Sequence, residues 1–180
     1  KLGVTKYEPP EVIARERGPG NERTGRQHDF PYRLVPKTDE DRVQSSKGQL
    51  AALAGREYVA TLKMDGSSFT AVYDPEEGKL LVCSRNFIID KDGTSVFAQA
   101  FRKYPRLVEL ADIQLYPELT RYAIQGEVCG PAIQGNKLGL SEVDLFVFSV
   151  YDTVERKYLD YKALCKICER LELKEVPVIH

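Results

Sequence analysis

The pattern of apolar and polar positions changes character near residue 57. Before it, apolar residues follow no period. "KYEPPEV" holds two adjacent prolines, and "RERGPGNERTGRQHDFPYR" is rich in glycine, arginine and polar residues. That density works against a regular element. Residues 1–36 therefore read as an extended lead-in. Arg15, Arg17, Arg23, Arg26 and Arg33 make it locally basic, which suits a solvated arm better than a phosphate-contacting one. In "KTDEDRVQSS", Thr38 or Asp39 is placed to cap a short helix running to Gln44.

From 57 onward the period shortens to two. Residues 57–63 and 67–73 alternate, and they are expected to pair as a hairpin around Asp65-Gly66. "DPEEG" at 74–78 predicts a second turn, and "KLLVCSRNF" a third strand. "SVFAQAFRKYPRLVELADIQLY" has helical spacing through Phe97, Phe101, Tyr104 and Leu107, with Pro105 breaking the run. Strands are predicted over 121–130 and 144–152, and a helix over roughly 160–172, before "VPVI" begins a further element. The pattern is α+β, with mainly antiparallel sheets and flanking helices.

Composition narrows the picture. The chain has 180 residues, with 42% hydrophobic and 29% charged content and a net charge of −1. One domain with a real core fits that length. A near-zero net charge means that any nucleic-acid surface must be local. No apolar run approaches a membrane span, so no membrane partner is expected. The chain starts at Lys1 and its only methionine is Met64, so it reads as a fragment or a processed product. The four cysteines do not suggest a disulfide framework, and a reducing, cytoplasmic location is the simplest expectation. Cys165 and Cys168 form a CxxC, but Tyr161, Leu164, Cys165, Cys168 and Leu171 share a helical face. Buried thiols explain it better than zinc.

Candidate chemistry begins with "TLKMDGSSF". Alternation puts Val59, Thr61 and Lys63 on one face, and Ala60, Leu62 and Met64 on the other. Lys63 then ends a strand just before a glycine, where a side chain can reach into a cleft from a rigid backbone. In "RYAIQGEVCG", Gln125 and Glu127 share a face, and Gly126 and Gly130 permit close approach. Arg85 falls near a strand end beside a turn. Phe146 and Phe148 share one face of their strand, opposite Val147 and Ser149. Each has a plain structural reading: Lys63 as a snorkelling surface residue, Glu127 as its ion-pair partner, Arg85 as a solvated side chain, Phe148 as core.

The combination points further. Lys63-Met64-Asp65-Gly66-Ser67-Ser68 resembles the nucleophile motif of covalent nucleotidyltransferases, the polynucleotide ligases and RNA capping enzymes. "SRN" at 84–86 is similar to the ligases' following motif. "GEVCGPAIQGNK" at 126–137 resembles the glutamate motif of nick-sealing RNA ligases, with Ile133-Gln134 and Asn136 in place. "LFVFSVYD" fits the aromatic motif after it. The lead-in resembles the subgroup with an N-terminal OB-type module, which would precede 1–36 and leave 37–180 as the nucleotidyltransferase (ATP-grasp-like ligase) adenylation domain.

The resemblance implies an ATP-dependent RNA ligase active in RNA repair, acting as a monomer. Lys63 would attack ATP and carry AMP, with Mg²⁺ or Mn²⁺ assisting. AMP would pass to the 5′-phosphate of nicked or broken RNA, and a 3′-OH would then seal the break. Glu127 would contact the ribose or a metal-bound water. Arg85 would hold the ribose or the RNA phosphate, and Phe148 would stack on adenine. Ser68 would contact phosphate. Leu62, Met64, Asp65 and Gly66 would shape the nucleotide site, with Asp65 in a supporting role. An amine attacks only when uncharged, so this chemistry asks for cations and desolvation around Lys63.

Two departures stand out. The family's later Glu-Gly strand and Lys-x-Lys strand do not occur before His180. The adenylation domain is thus read as incomplete at its C-terminus, and the 180 residues alone are expected to adenylylate themselves poorly. Leu62 stands where some relatives carry an adenine-reading glutamate, so ATP over GTP rests on the resemblance alone. A DNA ligase, a GTP-using capping enzyme, and a non-catalytic nucleotide- or RNA-binding module remain alternatives. The first two tend to carry an arginine where Ser67-Ser68-Phe69 stands here.

Overall fold

The computed structural model describes residues 26–39, 57–131 and 133–179, with isolated positions between 48 and 55. The helix expected from Thr38 or Asp39 to Gln44 lies outside the described residues, as do Arg15, Arg17 and Arg23.

Eight strands among the described residues make one sheet. They are β1 (Arg26–Asp29), β2 (Ser67–Asp74), β3 (Lys79–Cys83), β4 (Phe87–Ile89), β5 (Tyr122–Cys129), β6 (Asp144–Asp152), β7 (Lys157–Tyr158) and β8 (Lys174–Glu175). Their order is β1-β4-β3-β2-β5-β6-β7, with β8 paired to β6. Every pairing is antiparallel except β6 with β8. The result is a mixed α+β fold with a mainly antiparallel sheet.

Two α-helices and a 3₁₀ helix cover one face. Helix α1 (Val96–Lys103) starts where Ser95 accepts a hydrogen bond from the Ala98 N–H, and Arg102 and Lys103 sit in its last turn. That is a capped start with cations at the dipole's negative end. Pro105 forces a break, and the chain continues as the 3₁₀ helix Pro105–Ala111. Helix α2 (Tyr161–Leu171) is capped by Asp160, and Glu172 ends it in a left-handed conformation. Phe69, Ala71, Ile124, Val128, Leu145, Val147 and Val150 of the sheet pack against Phe101, Leu107, Leu110, Leu164 and Leu171. These side chains form the main core.

Among the described residues the opposite face is only partly covered. Val72, Ala123 and Tyr151 lie under Phe30 and Val35, contributed by the segment after β1. Met64, Cys129 and Val176 form a smaller apolar group flanked by Phe146 and Phe148. The open stretch of sheet between these two clusters carries the site.

Three expectations need correction. The hairpin of 57–63 with 67–73 does not form, because β2 has both edges taken by β3 and β5. Residues 57–63 instead run beside the end of the chain. Thr61 bridges Val178, the Leu62 N–H donates to the Pro177 carbonyl at 2.8 Å, and the Ile179 N–H donates to the Ala60 carbonyl at 2.8 Å. Residues 26–36 are not devoid of regular structure: β1 pairs β4, and Phe30 and Val35 are buried. Two large apolar side chains outweighed the local glycine and proline content. The third strand is interrupted, since the 84–86 turn separates β3 from β4.

All four cysteines are free, and Cys168 is packed in the main core. Among the described residues no cluster of three or more His, Cys, Asp or Glu forms, and no helix is long and apolar enough to cross a membrane.

Candidate active site

A cleft of about 1090 Å³ opens over the uncovered face, and Lys63, Arg85, Glu127 and Phe148 all line it. Four residues spread over 86 positions of sequence thus meet around one volume, although each is delivered by a different local device.

Lys63 is exposed, on a segment whose next residue, Met64, is only 8% exposed. Met64 anchors in the apolar group with Cys129 and Val176, so the backbone is fixed while the amine stays free to project. Gly66 follows. A Cβ there would stand 2.3 Å from the Val128 carbonyl oxygen and 2.8 Å from the Cys129 sulfur. Only glycine lets this loop lie on β5. The close approach also lets the Gly66 N–H donate to Glu127 Oε1 at 3.0 Å.

Glu127 sits on β5 opposite Ser68 of β2 in register. Burial pushes its carboxyl above the usual range, while the Gly66 N–H and the charge of Lys63 pull it partly back. Gly126 beside it lets β5 approach β6, since a Cβ would meet the Phe146 carbonyl at 2.6 Å.

Phe148 reaches the cleft through an irregularity. Gln125 pairs with Ser149, but the next residue, Gly126, pairs with Val147, so Phe148 is the extra residue of a bulge in β6. A bulge re-aims side chains and shifts alternation by one. Phe148 and Ser149 consequently both line the cleft, while Val147 and Val150 both face the main core. The expected sharing of a face by Val147 and Ser149 is therefore wrong, for this reason.

Arg85 occupies the exposed turn between β3 and β4 and pairs with Asp39 at 2.5 Å. Ser68 lines the cleft and shares a hydrogen bond with Thr38 at 2.8 Å. Leu62, Met64 and Gly66 line it as well. Asp65 is not among the lining residues; its carboxylate is paired with Lys137. The cleft also takes in Thr38, Asp39, Gln134 and Ser149, to which the sequence alone gave no role there. Thr38 and Asp39 carried a helix-cap pattern that masked them. Ser149 was hidden by the unseen bulge. Gln134 lay inside a recognised motif without an assigned task.

Glu127 is the one half-buried carboxylate in the lining, and Asp39 is engaged by Arg85. Mg²⁺ commonly keeps several waters and uses one or two carboxylates with substrate phosphates, so a single carboxylate fits a hydrated ion held mainly by phosphate.

A mainly antiparallel α+β fold thus presents a lysine, an arginine, a carboxylate and an aromatic ring to one cleft. The family model for RNA ligase matches residues 56–180, and the chain belongs to the RNA ligase family. Among solved structures it is similar to the Naegleria gruberi RNA ligase with PPi, at 30% identity and a TM-score of 0.75. Mutant forms of the same ligase match at 29% identity and a TM-score of 0.77, one with ATP and Mn and another with AMP and Mn. Each match covers 99% of this chain and 50% of the ligase, so the chain spans half the length of these relatives. No curated protein sequence matches it.

Proposed function

We propose that this chain carries the nucleotide-binding half of an ATP-dependent RNA ligase that works through a lysyl–AMP intermediate. The observation that carries the reading is the convergence of Lys63, Glu127, Arg85 and Phe148 on one cleft. The relatives with ATP, AMP and PPi support the choice of nucleotide.

In this reading the Phe148 ring stacks on the base at the edge of the Met64–Val176 group. Glu127 accepts from a ribose hydroxyl or from a water of the hydrated metal. Ser68 donates to a phosphate oxygen. The neutral amine of Lys63 attacks the α-phosphorus, a nitrogen–phosphorus bond forms, and the bond to the pyrophosphate oxygen breaks. The amine gives up one proton to solvent as the bond forms. Mg²⁺ or Mn²⁺, when bound, would screen the charge of the phosphates that the amine must approach. An RNA 5′-phosphate oxygen then takes AMP from the lysine, with Arg85 holding the ribose or that phosphate. Attack by a 3′-OH seals the break and releases AMP.

In this reading the side chains of the cleft hold and orient the reactants, which is where most catalysis of phosphoryl-type transfer lies. The test is intact mass after incubation with ATP and Mg²⁺, made on the full gene product because the matched ligases are twice as long. A gain of one AMP, absent in Lys63→Ala, is expected. Binding of ATP with no adduct would leave a non-catalytic module. An adduct formed from GTP alone, or sealing of DNA nicks alone, would move the protein to a sister family.

A further inference from the structure

The segment Pro36–Asp39 is stitched to the cleft one residue at a time. Gln125 Nε2 donates to the Pro36 carbonyl at 2.8 Å. Lys37 Nζ donates to Asn86 Oδ1 at 2.7 Å. Thr38 shares its hydroxyl with Ser68 at 2.8 Å, and Asp39 Oδ1 accepts from Arg85 Nη2 at 2.5 Å. Gln125 is fully buried on β5, so the strap is anchored at its base. Thr38 and Asp39, at its far end, form part of the cleft wall.

The Asp39–Arg85 pair has little to do with stability. Its side chains are 58% and 62% exposed, and such pairs contribute little. Its effect is on orientation. Arg85 rides on a short exposed turn, and a free guanidinium there would sample many rotamers. Asp39 takes a single bond from Nη2, and because Nη2 carries two hydrogens one of the guanidinium's two bidentate edges, Nε/Nη2 or Nη1/Nη2, stays open to a second anion in the same plane. A tetrahedral phosphate suits two such parallel donors.

We propose that Asp39 is a positioning residue that sets the Arg85 guanidinium to receive the 5′-phosphate of an RNA end. This rests on the RNA ligase reading and adds to it the residue that fixes the phosphate contact. In this arrangement the carboxylate does not compete with the incoming phosphate; it limits the rotamers from which Arg85 must be recruited.

The test is binding of the full gene product, without ATP, to two nicked RNA duplexes that differ only in a 5′-phosphate or a 5′-hydroxyl at the nick. The parent should prefer the phosphate by about tenfold or more. Asp39→Ala should lose most of that preference while binding the hydroxyl duplex like the parent, and Asp39→Glu should recover part of it. Asp39→Asn, which keeps the shape without the charge, should fall between parent and Asp39→Ala. An undiminished or increased preference in Asp39→Ala and Asp39→Asn overturns the proposal, because the carboxylate would then be idle or a competitor. No preference in the parent overturns it too. Absence of a lysyl–AMP adduct would instead sink the activity reading, and that outcome is read by mass, separately from binding.

Discussion

Gly66 and Glu127 are held face to face: the glycine N–H donates to Glu127 Oε1 at 3.0 Å, and a Cβ on Gly66 would stand 2.9 Å from Glu127 Cγ. The loop that presents Lys63 and the strand that presents the carboxylate are therefore one mechanical unit.

Gly66→Ala should break that unit. The added methyl meets the backbone oxygen of Val128, which cannot swing aside as a side-chain tip would. A loss of about 1–3 kcal/mol is expected, typical of overpacking against a fixed wall. Denaturant unfolding of parent and variant measures it, and an unchanged midpoint would contradict the close contact.

Glu127→Gln should separate stability from chemistry. The Glu127 carboxyl titrates above its ordinary value near 4.5, chiefly because it is buried. Its contribution to stability is thus full below that value and is lost as pH rises through the higher folded one. Gln keeps the acceptor for the Gly66 N–H without the charge. Melting temperatures from pH 4 to 8 should show a flatter profile in the variant, with the gap in its favour widening toward neutrality. The same variant should form less lysyl–AMP.

Asp144 has the opposite sign. Burial raises its carboxyl, but hydrogen bonds from Lys174, Tyr104, the Leu145 N–H and Lys103 outweigh burial and lower it below the ordinary 3.8. Its contribution is full above that value and fades as pH falls through the lower folded one. Asp144→Ala should cost about 2 kcal/mol at neutral pH, the scale of hydrogen bonds to a charged group. The curves of parent and variant should converge in acid. Parallel curves down to acidic pH would show that the carboxylate does not carry the link between α1, β6 and β8.

Phe148→Ala tests the aromatic contact. Stacking of a base on an aromatic ring accounts for roughly one to two powers of ten in affinity. ATP binding by calorimetry should weaken by about tenfold or more, and Phe148→Tyr should stay near the parent. Equal affinity in the alanine variant would place the base elsewhere in the cleft.

The elements that sequence pattern located well are those with a dominant local signal. β6 spans Asp144–Asp152 as expected, and α2 runs from its Asp160 cap to Leu171. Pro105 ends α1's run as its missing N–H requires. What pattern did not reveal depended on partners distant in sequence. Residues 57–63 alternate like a hairpin arm, yet their neighbour is 177–179, more than a hundred positions away. The extra residue at Phe148 leaves no mark on hydrophobicity, because Phe, Ser and Val fit either side of a half-covered sheet. Phe30 and Val35 stand singly among polar neighbours in the sequence, and only the sheet supplies Val72, Ala123 and Tyr151 beneath them. The motif residues Lys63, Arg85, Glu127 and Phe148 were nameable from the string. Thr38 and Asp39 were not, since their service to Ser68 and Arg85 exists only in three dimensions.

The bridge between Thr61 and Val178, with the Leu62 N–H on the Pro177 carbonyl, ties the backbone just ahead of Lys63 to residues 177–179. None of those three residues lines the cleft. A substitution there that breaks these bonds would nonetheless loosen the segment that presents the lysine, so the aim of that side chain is sensitive to positions that never meet a ligand.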